Sequence, residues 1–182
     1  MLHYTVFRTT WGYFGLAGTD AAASRTCLPV PSLQAAERGL LLGLDPPGED
    51  IRLNRGFLPD LQKRIIAYFE GENVDFSTDP PVLLDHTTAF GRKILHACRA
   101  IPFGQTRTYS DLARQVGNPG AARAVGGVMA SNPMPLIVPC HRVLRTDGGL
   151  GGFSAPGGTA TKQKMLHHEQ VVNRRHTDFQ SE

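Results

Sequence analysis

Three kinds of feature are scarce in this sequence: cysteines, long apolar runs and, in the second half, acidic side chains. The 182 residues include 3 cysteines, an odd number without the regular spacing of a disulfide-bonded scaffold, which favours a reducing compartment. No apolar run approaches the roughly 20 residues that a membrane-spanning helix requires. The amino terminus lacks a basic region followed by a long apolar stretch, so we expect no secretory signal. The sequence therefore predicts a cytoplasmic protein, or a nuclear one if its source is eukaryotic.

The usual sequence signatures of metal and nucleotide sites are also missing. There is no Cys-x-x-Cys pair, Cys27 has no second cysteine near it, and no glycine-rich phosphate loop occurs in a suitable context. Structural zinc sites are built from clustered ligands of that kind. We therefore expect neither a metal nor a cofactor.

Charge is distributed unevenly along the chain. Residues 1–85 hold 7 Lys and Arg against 11 Asp and Glu, whereas residues 86–170 hold 10 against 3. A basic half joined to an acidic half suggests that the second half binds a polyanion. A solvated basic face without a partner is an alternative of equal weight.

The first 85 residues predict a small α/β domain and a linker. Residues 4–19 are typical of a β-hairpin, and residues 24–30 of a third strand. A helix is expected to begin after Ser32, and a second one over residues 58–72. The apolar face of the second helix is expected to consist of Leu61, Ile65, Ile66 and Phe69. A proline pair in residues 77–85 indicates the linker.

Residues 86–170 predict a mostly helical domain, followed by a polar tail over residues 171–182. The first helix should place Phe90, Ile94, Cys98 and Ile101 on one face, which makes Cys98 a core residue. Ser110 is expected to cap a short helix over residues 111–116, and a further helix should start near Ala121. This pattern is typical of a helix-turn-helix, although many helical hairpins bind nothing.

The segment "PLIVPCHRVL" places a cysteine among groups that can activate it. A thiolate is the nucleophilic form of cysteine, and a nearby base or cation favours it. His141 can take the proton of Cys140, directly or through a water, and Arg142 adds positive potential. Glu169 is a candidate third group that orients the imidazole. The alternative is a buried structural cysteine in a strand that ends at a turn.

Three stretches together resemble the O6-alkylguanine-DNA alkyltransferases, also called methylated-DNA–protein-cysteine methyltransferases. They are "IPFGQTRTYSDLA", "GNPGAARAVGGVMASNPMPLIVPCHRVLRTDGGLGGFSAPGG" and "TKQKMLHHE". The resemblance implies a ribonuclease-H-like amino-terminal domain and a winged-helix-like carboxy-terminal domain. It also implies direct, irreversible transfer of an alkyl group from O6-alkylguanine in double-stranded DNA to a cysteine. We expect one turnover per molecule, binding through the minor groove, and a monomer.

The resemblance also assigns roles to individual residues. Cys140 would accept the alkyl group, His141 and Glu169 would form a water-mediated relay that generates the thiolate, and Asn132 would hold the active-site segment. Arg123 would fill the space left by the extruded base, and Tyr109 would help to rotate the nucleotide. The remaining DNA-binding or substrate-binding residues implied by the family are Ala121, Ala122, Gly126, Met129, Arg142, Val143, Phe153 and Ser154. Phe153 stands where some family members carry tyrosine, so a hydroxyl is missing there.

Three rival functions remain open at this point. A cysteine hydrolase would use Cys140 and a histidine and would turn over. A damage-binding protein without transferase activity would keep the fold, although such proteins replace the reactive cysteine. A transcriptional regulator that signals through its alkylated cysteine would be expected to carry a further DNA-binding or metal-thiolate module.

Overall fold

A four-stranded sheet forms the first half of the molecule. The computed structural model describes the backbone of residues 1–42, 51–84 and 87–179, and the side chains of these residues up to residue 175. The strands β1 (Leu2–Thr9), β2 (Gly12–Thr19) and β3 (Ala22–Val30) form an antiparallel meander, and β4 (Ile51–Leu53) adds in parallel to β1. The strand order is β3-β2-β1-β4. The predicted hairpin and third strand are therefore present.

Two helices accompany the sheet. Helix α1 spans Leu33–Leu41, and the Ser32 side chain accepts a hydrogen bond from the Ala35 N–H, as expected of the predicted cap. Helix α2 spans Pro59–Glu70. The predicted apolar face of α2 is rotated in the structure, because Tyr68 is fully buried whereas Ile66 is only half-buried. The buried stripe follows the helical repeat through Leu61, Ile65 and Tyr68.

The predicted linker is attached to both halves. Backbone hydrogen bonds join Ala23 at the start of β3 to Pro81 and Leu83. The buried guanidinium of Arg99 donates to the carbonyls of Phe76 at 2.7 Å and Pro80 at 2.5 Å. The predicted boundary at residues 85 and 86 lies outside the described residues, as do the ends of the predicted first helix and of the polar tail.

The second half is mostly helical. It contains α3 (Ala89–Arg99), α4 (Tyr109–Gln115), α5 (Ala122–Ala130), a 3-10 turn (Cys140–Arg142) and α6 (Gly158–Phe179). Two short parallel strands, β5 (Arg107–Thr108) and β6 (Val143–Leu144), bring the start of α4 beside the 3-10 turn. Helices α4 and α5 form the predicted helical hairpin. The core is continuous between the two halves, since Phe14, Tyr68, Ile94 and Met165 belong to one buried cluster.

The start of α4 corrects one prediction. Thr108, not Ser110, caps this helix: its hydroxyl accepts from the Asp111 N–H at 3.1 Å, and the Asp111 carboxylate accepts from the Thr108 N–H at 2.8 Å. This reciprocal capping box satisfies two backbone donors that the helix itself leaves unpaired. Ser110 therefore lies inside the first turn of the helix.

Candidate active site

Cys140 begins the 3-10 turn and is nearly buried. Residues 136 and 137 before it form a turn, and Val138 makes an isolated bridge to Pro135, so the alternative of a strand leading into the cysteine is wrong. Only 6% of Cys140 is exposed. The exposed part faces a cavity of about 310 Å³ that is also lined by Cys27, Asn132, Pro135 and Ser154. This cavity thus gives access to the cysteine.

Asn132 fixes the segment that leads to Cys140. Its side-chain Nδ2 donates to the Val138 carbonyl at 2.8 Å, and its Oδ1 accepts from the Met134 N–H at 3.0 Å. Burial raises the pKa of the Cys140 thiol, and hydrogen bonding from Asn132 and the charge of Lys162 oppose that rise. Two groups that favour the thiolate are therefore present around the sulfur.

Glu169 on α6 is the centre of a buried hydrogen-bond network. Only 1% of it is exposed. Its carboxylate accepts from the Tyr68 hydroxyl at 3.0 Å, the Gly104 N–H at 2.9 Å and His141 Nε2 at 2.9 Å. It also forms a two-pronged ion pair with Arg142, whose Nη2 lies 2.8 Å from Oε1 and whose Nε lies 3.0 Å from Oε2. Burial acts to raise the pKa of Glu169, but the hydrogen bond from His141 and the hydrogen bonds and charge of Arg142 hold it well below its usual range.

The protonation of Glu169 determines the tautomer of His141. An ionised carboxylate can only accept, so Nε2 of the fully buried imidazole carries the hydrogen that Glu169 receives. Burial lowers the pKa of His141 despite the neighbouring carboxylate. The ring is therefore neutral at neutral pH, and its Nδ1, buried and without a hydrogen-bond partner among the described residues, is the basic atom.

Arg142 corrects the expectation that this residue binds substrate or DNA. It is only 5% exposed, and its guanidinium donates to Glu169 and to the Ile101 carbonyl at 2.6 Å. The group also lies over the ring of Phe103, 5.7 Å from its centroid. Because these contacts enclose the guanidinium, Arg142 orders the carboxylate and does not face an incoming ligand.

Lys162 on α6 is a site residue that the sequence did not nominate. Its side chain is completely buried, its Nζ donates to the Val143 carbonyl at 2.6 Å, and it lies 5.8 Å from the centroid of the Tyr109 ring. Burial lowers the pKa of Lys162. Helical spacing could have indicated Lys162 from the sequence. Lys162, Met165 and Glu169 are separated by three and four residues, so they share one face of α6.

A larger groove lies beside the Cys140 cavity. It has a volume of about 790 Å³ and is bounded by α4, α5 and the loop that precedes α6. Ala130 and Ser154 line both spaces, so the groove and the cavity adjoin. Six predicted residues line the groove: Tyr109, Ala122, Arg123, Gly126, Phe153 and Ser154.

Besides Arg142, three of the predicted binding residues line neither space. Met129 is 6% exposed and packs in the hydrophobic core, which corrects the expectation that it lines the substrate cavity. Val143 is buried and its carbonyl is occupied by Lys162. Ala121 is half-buried at the residue that precedes α5.

Grouped metal ligands and membrane-spanning helices are not found in the described part of the chain. Within the described ranges, no three His, Cys, Asp or Glu side chains are grouped so that they could hold a metal ion. None of the helices in those ranges is long and apolar enough to span a membrane.

Comparison with known proteins places this site in a family. A family model described as the DNA-binding domain of 6-O-methylguanine DNA methyltransferase matches residues 89–171. The methylated-DNA–protein-cysteine methyltransferase of Mycolicibacterium paratuberculosis is 40% identical over 177 residues, which cover 97% of this chain and 95% of that protein. The mouse protein of the same name is 49% identical over 84 residues, and the alignment spans 46% of this chain and 39% of the mouse protein.

A solved structure shares the fold of nearly the whole chain. The crystal structure of Mycobacterium tuberculosis OGT in complex with DNA superposes with a TM-score of 0.76 at 30% identity, and the match covers 93% of this chain and 94% of that one. The mixed α/β architecture is therefore common to both. With a full-length relative at 40% identity, the chain belongs to the methylated-DNA–protein-cysteine methyltransferase family.

Proposed function

We propose that this protein repairs double-stranded DNA by transferring the alkyl group of O6-alkylguanine to Cys140, once per molecule. The observation that carries the proposal is the buried series Cys140, His141 and Glu169 next to a groove lined by the helix-turn-helix. This series occurs in a chain that aligns over 97% of its length with the methylated-DNA–protein-cysteine methyltransferase of Mycolicibacterium paratuberculosis.

Docking is assigned to the hairpin of α4 and α5. This hairpin lies in the half that carries 10 basic and 3 acidic side chains, and such an excess attracts the phosphate backbone. The small residues Ala121, Ala122 and Gly126 at the start and along the length of α5 allow a close approach to the minor groove, whereas major-groove reading calls for longer polar side chains. We extend this to a winged-helix-like fold for residues 86–170 and a ribonuclease-H-like fold for residues 1–85.

The target base must leave the duplex to reach the cysteine. The O6-alkyl group is shielded within the base stack, and enzymes that act on such atoms extrude the nucleotide. Exposed Arg123 and half-buried Tyr109 line the groove. In this proposal Arg123 fills the gap in the stack, as inserted side chains do at minor-groove sites, and Tyr109 helps to rotate the nucleotide. Phe153 and Ser154 form a wall that the base meets on its way to Cys140.

The transfer is a direct displacement. The Cys140 thiol gives its proton to Nδ1 of His141, directly or through a water, and Glu169 stabilises the imidazolium that results. The thiolate attacks the alkyl carbon, and the bond from carbon to guanine O6 breaks with its electrons. The guanine anion takes up one proton, which balances the proton that Cys140 gave to His141. Ser154 is the candidate donor toward O6, since Phe153 offers no hydroxyl.

The product explains the single turnover. An S-alkylcysteine is a thioether, which has no easy route to hydrolysis, unlike the acyl-thioester of a cysteine hydrolase. The proposal therefore needs neither a second catalytic acid nor a cofactor. We propose that the protein acts as a monomer.

Mass spectrometry with a single-lesion duplex tests the proposal. After mixing with a duplex that carries one O6-methylguanine, the intact protein should gain the mass of one methylene per molecule, on the peptide that contains Cys140. Cys140→Ala should abolish the gain and keep DNA binding, whereas the control Cys98→Ala, which changes a fully buried core thiol, should still be methylated.

Each rival function predicts a different result. DNA binding without any mass gain in the wild type would indicate a damage-binding protein. Sustained turnover with excess substrate would indicate a hydrolase. Methylation that persists in Cys140→Ala would move the nucleophile to another residue.

A further inference from the structure

A residue of the first half takes part in the Glu169 network. The hydroxyl of Tyr68, on α2, donates to Glu169 Oε1 at 3.0 Å, and Tyr68 is fully buried. The two residues are 101 positions apart in the chain. The other described donors to the Glu169 carboxylate belong to the second half and are Gly104, His141 and Arg142.

The end of α2 is held against α6 by further contacts. The carbonyls of the last turn of a helix need partners outside it. Here His168 Nε2 lies 2.7 Å from the Tyr68 carbonyl, and the Thr10 hydroxyl donates to the Phe69 carbonyl at 2.7 Å. Trp11, in the turn between β1 and β2, stacks edge-on against His168, and the Lys164 ammonium lies 3.8 Å from the centroid of a Trp11 ring. His168 and Thr10 thus hold the end of α2, which carries Tyr68, against α6 and the turn between β1 and β2.

We propose that Tyr68 is a positioning residue for alkyl transfer, through which the first half of the chain fixes the carboxylate that orients His141. The inference rests on the proposed function and assigns a chemical task to the first half of the chain. Oε1 is shared between Tyr68, His141 and Arg142. The Tyr68 hydroxyl is a further donor to Oε1, so it restrains the carboxylate and engages part of its negative charge.

The hydroxyl is a constant donor. Burial raises the pKa of Tyr68 well above its ordinary value, and the negative charge of Glu169 adds to that effect. The phenol therefore stays protonated across the pH range in which His141 and Cys140 exchange a proton. Loss of the hydroxyl leaves more charge on Oε1 for the imidazole, which favours its protonated form.

Several other groups face this proton-transfer pair. They are Arg142 on the 3-10 turn, Cys98 on α3, Tyr109 on α4, and Lys162 and Glu169 on α6. Tyr68→Phe keeps all of these side chains and removes only the hydroxyl that donates to Glu169. A shift in the pH dependence of transfer is then caused by the missing hydroxyl.

The test measures single-turnover methyl transfer from the O6-methylguanine duplex across a range of pH. For Tyr68→Phe we expect a rate about tenfold lower at neutral pH, because the Glu169 carboxylate loses a hydrogen bond. The carboxylate then orients His141 less well, and a smaller fraction of the imidazole is free to accept the Cys140 proton. The acid limb of the pH profile should move to higher pH, and the Kd for the damaged duplex should stay the same. The matched control is Phe76→Leu, because the centroid of the Phe76 ring lies 6.5 Å from that of the Tyr68 ring and the hydroxyl is retained.

The control separates positioning from packing. Phe76→Leu should lower Tm without moving the acid limb. If Tyr68→Phe lowers the rate only as much as Phe76→Leu does, with an unmoved pH profile, Tyr68 merely packs and the inference is overturned. If the wild type itself transfers no methyl group, the proposed function fails instead.

Discussion

Buried titratable groups dominate the site at the scale of single residues. Glu169, Arg142, Lys162 and His141 are each no more than 5% exposed, an arrangement that is costly unless every charge is paired. Glu169 and Arg142 pair with each other, and Lys162 donates to a backbone carbonyl. In the proposed mechanism these buried contacts fix the path of the proton that leaves Cys140.

Lys162 is expected to speed methyl transfer by favouring the thiolate of Cys140. Its cationic charge lowers the pKa of the Cys140 thiol against the effect of burial. Lys162→Met removes that charge, so the pKa of the thiol should rise. The rate of methyl transfer at neutral pH should then fall about tenfold for every pH unit by which this pKa increases. The loss should be recovered as the pH is raised, because the thiolate then forms without the cation.

The neighbouring lysine supplies the control. Lys164 is exposed and lies over Trp11, so Lys164→Met should leave the pH profile of transfer unchanged. Profiles of equal midpoint for wild type and Lys162→Met would contradict the assigned role of Lys162. The measurement is the single-turnover rate against pH for all three proteins.

The sequence predicted some of these residues and not others, for a physical reason. Cys140 and His141 are adjacent, and their neighbours form a motif, so the local sequence was enough to predict them as a candidate nucleophile and base. Arg142 looked like a ligand-binding cation, because nothing in the sequence shows that Glu169 and Ile101 enclose it. Tyr68 reaches the site only through the packing of α2 on α6, a long-range contact that a local motif does not encode.

At the scale of elements, local signals located the strands and helices well and their ends less well. The hairpin, α1, α2 and α3 follow from alternation and helical periodicity. The start of α4 was misplaced by two residues, because Ser110 and Thr108 are both good caps and the reciprocal bond to Asp111 decides between them. The apolar residues 136–138 are typical of a strand that leads into Cys140. In the structure they are buried without forming a strand.

The loop before α6 gives a prediction at the element scale. Gly151 has a φ of +69°, and a Cβ there would lie 2.6 Å from the Tyr109 hydroxyl. Gly151→Ala should therefore strain the loop and displace Tyr109, and methyl transfer should slow about tenfold or more, as small misplacements in active sites do. Gly152→Ala is the matched control, since a Cβ there meets no heavy atom of the described residues within 4 Å.

The outcome is measured as transfer rate and Tm for the two glycine variants. Gly152→Ala should resemble the wild type in both. Equal rates for the two variants would mean that the contact between the loop and Tyr109 has no part in forming the substrate groove.

At the scale of the whole molecule, the two halves divide the work unequally. The groove, the hairpin of α4 and α5, and Cys140 all belong to the second half. The first half contributes a sheet, one wall of the Cys140 cavity through Cys27, the linker contacts to Arg99 and the Tyr68 hydroxyl. The shared hydrophobic core makes these contributions part of one structure. The uneven charge of the two halves can be read from the sequence, but the contacts that join the halves cannot.

Arg123 supplies the prediction that depends on docking of the whole molecule. It is exposed on α5 and lines the groove. If it replaces the extruded base in the stack, Arg123→Ala should slow methyl transfer from duplex DNA by about tenfold, because unstacking then goes uncompensated. Reaction with the free base O6-methylguanine, which needs no extrusion, should be nearly unchanged. The exposed Arg8 in β1 is the control for a general loss of positive charge, and Arg8→Ala should affect neither substrate. Equal losses on duplex and free base would show that Arg123 acts on the chemistry and not on extrusion.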